Sequence, residues 1–122
     1  MPKAYTAARV IDGVSERAIE NGAVTIENNL ISSVGPAADL PPSTETIDLG
    51  NMTLLPGLID AHVHLVWSAS AEPHDLVARE SRALTVLRCA RNAALHLAAG
   101  VTTVRDVGAT GALSVEVARA VE

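Results

Sequence analysis

The distribution of glycine, proline and strand-forming residues changes at Pro56-Gly57, and this change constrains the fold more than any other feature. Before it, short apolar runs are closed by turn residues every few positions, leaving no room for a helix of useful length. After it, β-branched runs alternate with longer Ala/Leu segments, a pattern typical of a parallel sheet with crossover helices. The sequence therefore predicts two regions, residues 1–56 and residues 57–122.

The first region is expected to be a small β-domain. The alternating runs Ala23–Glu27 and Leu30–Val34 are separated by Asn28-Asn29, two residues that tolerate positive φ, and this predicts a tight hairpin. Further short strands are predicted at Ala4–Ile11, Thr44–Leu49 and Met52–Leu55.

The second region is expected to fold as β-α-β-α. Its predicted elements are a strand at Leu58–Val66, one long helical segment from Glu72 to Ala99, a strand at Val101–Val107 and a helix from Ala112 to Glu122. An apolar stripe at helical spacing follows the long segment: Leu84, Leu87, Ala90, Ala94 and Ala98. A parallel sheet of two strands lacks partners at its edges, so we expect it to continue in downstream sequence or in another polypeptide.

Composition excludes several classes of protein. The chain is 48% hydrophobic, which excludes disorder, and contains no Phe, so its apolar residues are mainly the aliphatics that fill α/β layers. A net charge of −5 without a long single-sign run offers no surface for nucleic acid or an anionic membrane, and no run is long enough to span a bilayer. Cys89 is the only cysteine. We expect a buried, unreactive Cys89 and a reducing, cytoplasmic location.

Three polar side chains alternate along the predicted strand Leu58–Val66. Side chains of a strand alternate between its faces, so Asp60, His62 and His64 are expected on one side. Two imidazoles at positions i and i+2 can bind one divalent metal such as Zn, and Asp60 is a candidate for orienting an imidazole N–H. An isolated His-x-His is a weak pattern, but here it lies near the C-terminal end of a β-α-β strand, where α/β folds place their chemistry.

The residues around these histidines carry a more specific pattern. The run Leu54-Leu55-Pro56-Gly57-Leu58-Ile59-Asp60-Ala61-His62-Val63-His64-Leu65 resembles the P-G-x-I-D-x-H-x-H signature of the metal-dependent amidohydrolase superfamily. Ala99–Gly108 is similar to the second barrel strand of its imidazolonepropionase-like and Xaa-Pro dipeptidase-like branch. The resemblance implies an α/β fold: the N-terminal part of a small β-sandwich in residues 1–56, then the first two βα units of an incomplete (β/α)8 TIM-like barrel in residues 57–122.

The resemblance also implies an activity. In this family, histidines equivalent to His62 and His64 bind one or two divalent ions, usually zinc, which lower the pKa of a bound water that attacks an amide, dipeptide or cyclic amide. The remaining ligands and the aspartate that moves the proton lie on later barrel strands, so no catalytic residue is expected in these 122 residues. The implied partners are a small-molecule or dipeptide substrate and the rest of the barrel. The full-length enzyme is expected to be a homo-oligomer.

Two alternative functions remain open at this point: a deaminase or carbamate/ester hydrolase on the same scaffold, and a catalytically incompetent metal-binding fragment or subunit. Trp67 is a candidate for the wall of a substrate pocket or for packing. Asp106 is a candidate for supporting the site, for contacting the substrate or for pairing with neighbouring loops. His74 and His96 are interpreted as solvated or capping residues rather than as ligands.

Overall fold

The computed structural model describes residues 2–121, which divide into two compact units, one up to Pro56 and one from Gly57. Within the first unit the strands are β1 (Lys3–Val10), β2 (Ile19–Glu27), β3 (Leu30–Pro36), β4 (Glu45–Asp48) and β5 (Thr53–Leu54). They form one sheet in the order β3-β2-β1-β4, and the short β5 also pairs with β1. The pairs β1–β2 and β2–β3 are antiparallel, whereas β4 and β5 run parallel to β1.

The β2–β3 hairpin confirms the prediction from the two asparagines. Asn28 and Asn29 adopt φ values of 51° and 62°, and Glu27 pairs directly with Leu30. Two successive residues with positive φ match the right-handed twist of the flanking strands, which is why asparagine suits this turn. The buried apolar residues of this sheet are three alanines and a valine, namely Ala4, Ala7, Val10 and Ala23.

The second unit contains β6 (Leu58–Val63), α1 (Pro73–Arg79), α2 (Arg82–Ala98), β7 (Val101–Asp106) and α3 (Leu113–Val121). The strands β6 and β7 pair in parallel, and Gly100, with φ of 88°, follows the end of α2 as expected. Glu122, which the sequence places in the last helix, lies outside the described residues. The core of this unit is formed by Val63, Leu65, Val66, Cys89, Leu113 and Val117.

One prediction about the helical segment is wrong. The segment from Glu72 to Ala99 is not one helix, because α1 ends at Arg79 and Ser81 then caps α2 by accepting a hydrogen bond from the Leu84 amide (3.3 Å). The apolar stripe is not the buried face: Leu84 and Leu87 are 49% and 67% exposed. Helix α2 instead packs on the core through the side that carries Thr85 and Cys89.

The fold is therefore a mixed α/β arrangement, and the barrel and the sandwich stay predictions. None of the helices in residues 2–121 has the length and apolar character needed to cross a membrane.

Candidate metal centre

Strand β6 ends one residue before His64, so the predicted strand Leu58–Val66 is too long. The amide of Leu65 donates to a carboxylate oxygen of Asp106 (3.1 Å), and the amide of Trp67 donates to the His64 carbonyl (3.0 Å). These two bonds turn the chain away from the sheet directly after Val63. His62 therefore lies on the strand, whereas His64 is the first residue of the turn that follows it.

The pairing of β6 with β7 is irregular where it passes His62. From Asp60 to Val63 strand β6 advances three residues, whereas β7 advances two, from Val104 to Asp106. Side chains satisfy main-chain groups in this bulge. The His62 amide donates to Asp60 Oδ1 (3.1 Å), and Arg105 Nε donates to the Ala61 carbonyl (2.9 Å). Bulges are found beside active sites because they redirect a side chain.

The imidazoles of His62 and His64 lie side by side at the end of β6. Their ring centroids are 5.5 Å apart, with an angle of 70° between the planes. Two imidazoles that bind one Zn²⁺ through nitrogen, each at about 2.0–2.1 Å, have centroids roughly 5 Å apart, so the separation of the two rings matches that of a pair sharing a metal. Among residues 2–121 no cluster of three or more His, Cys, Asp or Glu side chains could hold a metal, so the described residues do not by themselves complete a metal site.

One ring nitrogen of His64 is already occupied. Its Nδ1 lies 3.0 Å from the carbonyl oxygen of Gly108, in the loop that follows β7. Because a carbonyl can only accept a hydrogen bond, Nδ1 carries the hydrogen, and Nε2 of the neutral ring keeps the lone pair. This is the usual arrangement of a metal-binding histidine, whose second nitrogen donates to a carbonyl or carboxylate. The donor set therefore fits a divalent metal such as zinc.

An aromatic row extends from His64 away from His62. The indole of Trp67 stacks on the His64 imidazole, with centroids 3.7 Å apart and planes inclined by 19°, and the His74 ring meets Trp67 edge-on at 4.4 Å. Trp67 is half-buried and also packs against the core of its unit. Trp67 therefore stacks on His64 and takes part in packing, and its role in the wall of a substrate pocket stays a prediction.

Asp106 contacts two main-chain amides, one in each of the loops that meet at the site. One carboxylate oxygen accepts from the Leu65 amide (3.1 Å), and the other accepts from the Gly108 amide (2.9 Å). Gly108 is also the residue whose carbonyl binds His64. The Asp60 carboxylate, in contrast, contacts the His62 main chain, whereas the hypothesis from the sequence had it orient an imidazole N–H.

Two residues on α2 that the sequence did not mark as functional also hold the turn after His64. Asn92 Nδ2 donates to the carbonyls of Leu65 and Trp67 (both 2.8 Å), and Arg88 donates to the carbonyl of Val66 (3.2 Å). Their spacing of four residues places them on one face of the helix. That spacing marks a shared polar face of the helix, but it does not identify the carbonyls that the face contacts.

The remaining candidates do not join the two histidines in a cluster. His96 contacts the carbonyl of Asn92 within its own helix (2.9 Å), and His74 reaches only Trp67 among the aromatic contacts of residues 2–121. Cys89 is buried and unpaired, as expected, and burial followed by the nearby charge of Asp106 raises the pKa of its thiol. A thiol with a raised pKa is a poor nucleophile.

Comparison with known proteins gives consistent matches. Residues 53–122 match the amidohydrolase family. Imidazolonepropionases of Bacillus thuringiensis (strain Al Hakam) and Bacillus cereus (strain B4264) are each 48% identical over 56 residues, covering 44% of this chain and 13% of theirs. A Xaa-Pro dipeptidase structure with bound methionine superimposes with a TM-score of 0.79 at 25% identity, covering 99% of this chain and 30% of the dipeptidase. The structure of Aspergillus niger ochratoxinase superimposes with a TM-score of 0.78 at 29% identity, covering 98% of this chain and 28% of the ochratoxinase. The chain thus spans less than a third of each of these proteins.

Proposed function

Because this chain belongs to the amidohydrolase family, in its imidazolonepropionase-like and Xaa-Pro dipeptidase-like branch, we propose that it supplies the first metal ligands of a hydrolase acting on C–N bonds. The substrate class is a small amide, dipeptide or cyclic amide. One observation carries the proposal: His62 and His64 lie together at the end of β6, and the Gly108 carbonyl leaves Nε2 of His64 free to bind a metal.

We assign His62 and His64 as ligands of a divalent ion, with zinc as the expected metal. Such an ion, alone or as one of two, supplies Lewis-acid chemistry by activating water and polarising the scissile carbonyl. The residues of this chain bind the metal and orient its two histidine ligands. His64 is held in one tautomer by Gly108 and in one plane by Trp67, and the Asp60 carboxylate holds the amide of His62. We assign no proton-transfer residue to the described part of the chain.

We further propose that residues 57–122 are the first two βα units of a (β/α)8 barrel and that residues 1–56 belong to a small β-sandwich. Exposed apolar side chains on both layers of the second unit support further packing: Ile59 is 73% exposed, Leu58 51% and Leu87 67%. Apolar surface of this extent is stabilised when neighbouring barrel elements cover it. The homo-oligomer and the cytoplasmic location stay predictions.

The test is hydrolysis by the purified full-length protein against four substrates: a Xaa-Pro dipeptide, an N-acyl amino acid, a cyclic amide and an ester. We expect hydrolysis of at least one of the three C–N substrates, loss of that activity after chelation and recovery with Zn²⁺. His64→Ala should abolish it, and His96→Ala, which removes a histidine outside the site, should not. Activity on the ester alone, or C–N hydrolysis that survives both chelation and His64→Ala, would contradict the proposal.

A further inference from the structure

The position of the His64 ring depends on two loops that come from different strands. The turn after β6 carries His64 itself, and the loop after β7 carries the Gly108 carbonyl that accepts from Nδ1 (3.0 Å). A hydrogen bond of this kind fixes the ring only if the carbonyl is itself fixed relative to the His64 backbone. The structure must therefore contain a link between the two loops.

Asp106 provides that link. In the sheet, Asp106 pairs with Val63, the residue before His64. The two carboxylate oxygens of Asp106 accept hydrogen bonds from the amides of Leu65 (3.1 Å) and Gly108 (2.9 Å). A main-chain bond from the Val107 amide to the Val63 carbonyl (3.0 Å) holds the same loops closer to the sheet. The carboxylate thus joins the peptide that follows His64 to the peptide that bears its acceptor.

We propose that Asp106 is a positioning residue for His64, which sets the tautomer and orientation of the imidazole through the Leu65 and Gly108 peptides. The proposal deepens the function given above, in which His64 is a metal ligand. An ionised carboxylate is suited to this role because both of its oxygens accept, and hydrogen bonds to a charged acceptor are stronger than those between neutral groups. An asparagine at the same position can accept only one of the two amides and presents an NH₂ group to the other.

The chain offers a matched control in Asp48. This residue also ends a strand, β4, and its Oδ1 accepts from the amide two residues later, that of Gly50, at 2.8 Å. The local geometry is that of Asp106 and Gly108 (2.9 Å), but Asp48 lies in the first unit, and the histidines of the candidate centre lie in the second. Asp48→Asn therefore makes the same change from carboxylate to amide but should not affect the His64 tautomer.

The experiment compares Asp106→Asn and Asp48→Asn with the wild type in full-length protein labelled with ¹⁵N-histidine. In the metal-free state, long-range ¹H–¹⁵N correlations report the tautomer of His64, which is assigned by the signals that His64→Ala removes. We expect a single tautomer protonated at Nδ1 in the wild type and in Asp48→Asn, and a mixture in Asp106→Asn. A Zn²⁺ titration should show an affinity about 10- to 100-fold weaker for Asp106→Asn and unchanged for Asp48→Asn, the range usual for residues that orient a ligand.

Asp106→Glu serves as the second variant in case the Asp106→Asn protein does not fold. It keeps the negative charge and changes only the position of the carboxylate. Its longer side chain should also mix the tautomers. A folded Asp106 variant that keeps one tautomer and the wild-type Zn²⁺ affinity would overturn the proposal. If the wild type binds no Zn²⁺, the proposed function fails, while the tautomer measurement, made without metal, still decides the role of Asp106.

Discussion

Gly57 precedes the strand that carries the candidate ligands, and replacing it with alanine should disturb the start of that strand. An added Cβ would lie 2.7 Å from Cβ of Thr102, on the neighbouring strand β7, and closer still to its Oγ1 and Cγ2. Real Cβ contacts are essentially never this short, and the Cβ of Thr102 is fixed by its backbone. Rotation of the threonine side chain cannot relieve the overlap, so β6 and β7 must move apart where Leu58 pairs with Val101.

The expected cost follows from this geometry. Forcing an extra carbon into a close contact that only backbone movement can relieve destabilises a protein by about 1–3 kcal/mol, and three overlapping atoms place Gly57→Ala in the upper part of that range. The equilibrium constant for unfolding should therefore rise by roughly 30- to 150-fold. Urea unfolding followed by the fluorescence of Trp67, the only tryptophan in this sequence and a residue of the same unit, measures the change.

Two further variants make the measurement decisive. Gly35→Ala adds the same carbon to a strand glycine that has nothing within 4 Å of the new atom, so its unfolding free energy should stay within about 0.5 kcal/mol of the wild type. In the background of Thr102→Ala, which removes Oγ1 and Cγ2 but keeps Cβ, Gly57→Ala should cost less than in the wild type. A Gly57→Ala protein as stable as Gly35→Ala would show that the contact with Thr102 does not constrain the start of β6.

Two other predictions concern charged groups. Glu80→Ala should lower the unfolding free energy by about 3 kcal/mol, because it leaves Arg88 largely buried without its carboxylate, whereas Glu116→Ala breaks an exposed pair and should cost at most about 1 kcal/mol in the same urea assay. Hydrogen bonds from the Ser15 amide, then from the Val14 amide and the Ser15 hydroxyl, lower the pKa of Asp12 from 3.8 to about 2. The stability they contribute is present above pH 3.8 and lost as pH falls through 2, so acid titration of Asp12→Asn should lack this loss. An equal acid loss in both proteins would contradict the assignment.

Local patterns in the sequence predicted the local structure well. The hairpin follows from Asn28-Asn29 because a two-residue turn is decided by the φ values its own residues tolerate. The interruption between α1 and α2 was not predicted because Glu80-Ser81 contains neither glycine nor proline. A serine within a helical segment shows its capping role only when the structure reveals that it accepts from a main-chain amide, here that of Leu84. Periodicity marked Leu84 and Leu87 as one face, but it does not say what that face packs against.

The sequence predicted that His62 and His64 would lie on one side and that Asp106 could support them, but it did not predict the contacts that Asn92 and Arg88 make. The spacing of His62 and His64 on a strand predicted that their rings would meet, although the bulge at His62 and the turn at His64 changed the path between them. The roles of Asn92 and Arg88 could not be predicted from helical spacing. Their partners are the main-chain carbonyls of residues 65–67. These carbonyls face α2 together only once the turn after His64 has formed, and helical spacing does not predict that turn.

Metal content is the sharpest test of whether His62 and His64 bind one metal together. We predict that full-length wild-type protein and His96→Ala retain stoichiometric metal after dialysis, measured by inductively coupled plasma mass spectrometry. His62→Ala and His64→Ala should each lose it while keeping wild-type circular dichroism, because both rings lie at the end of β6 outside the core cluster of their unit. Stoichiometric metal retained in both folded variants would contradict the account.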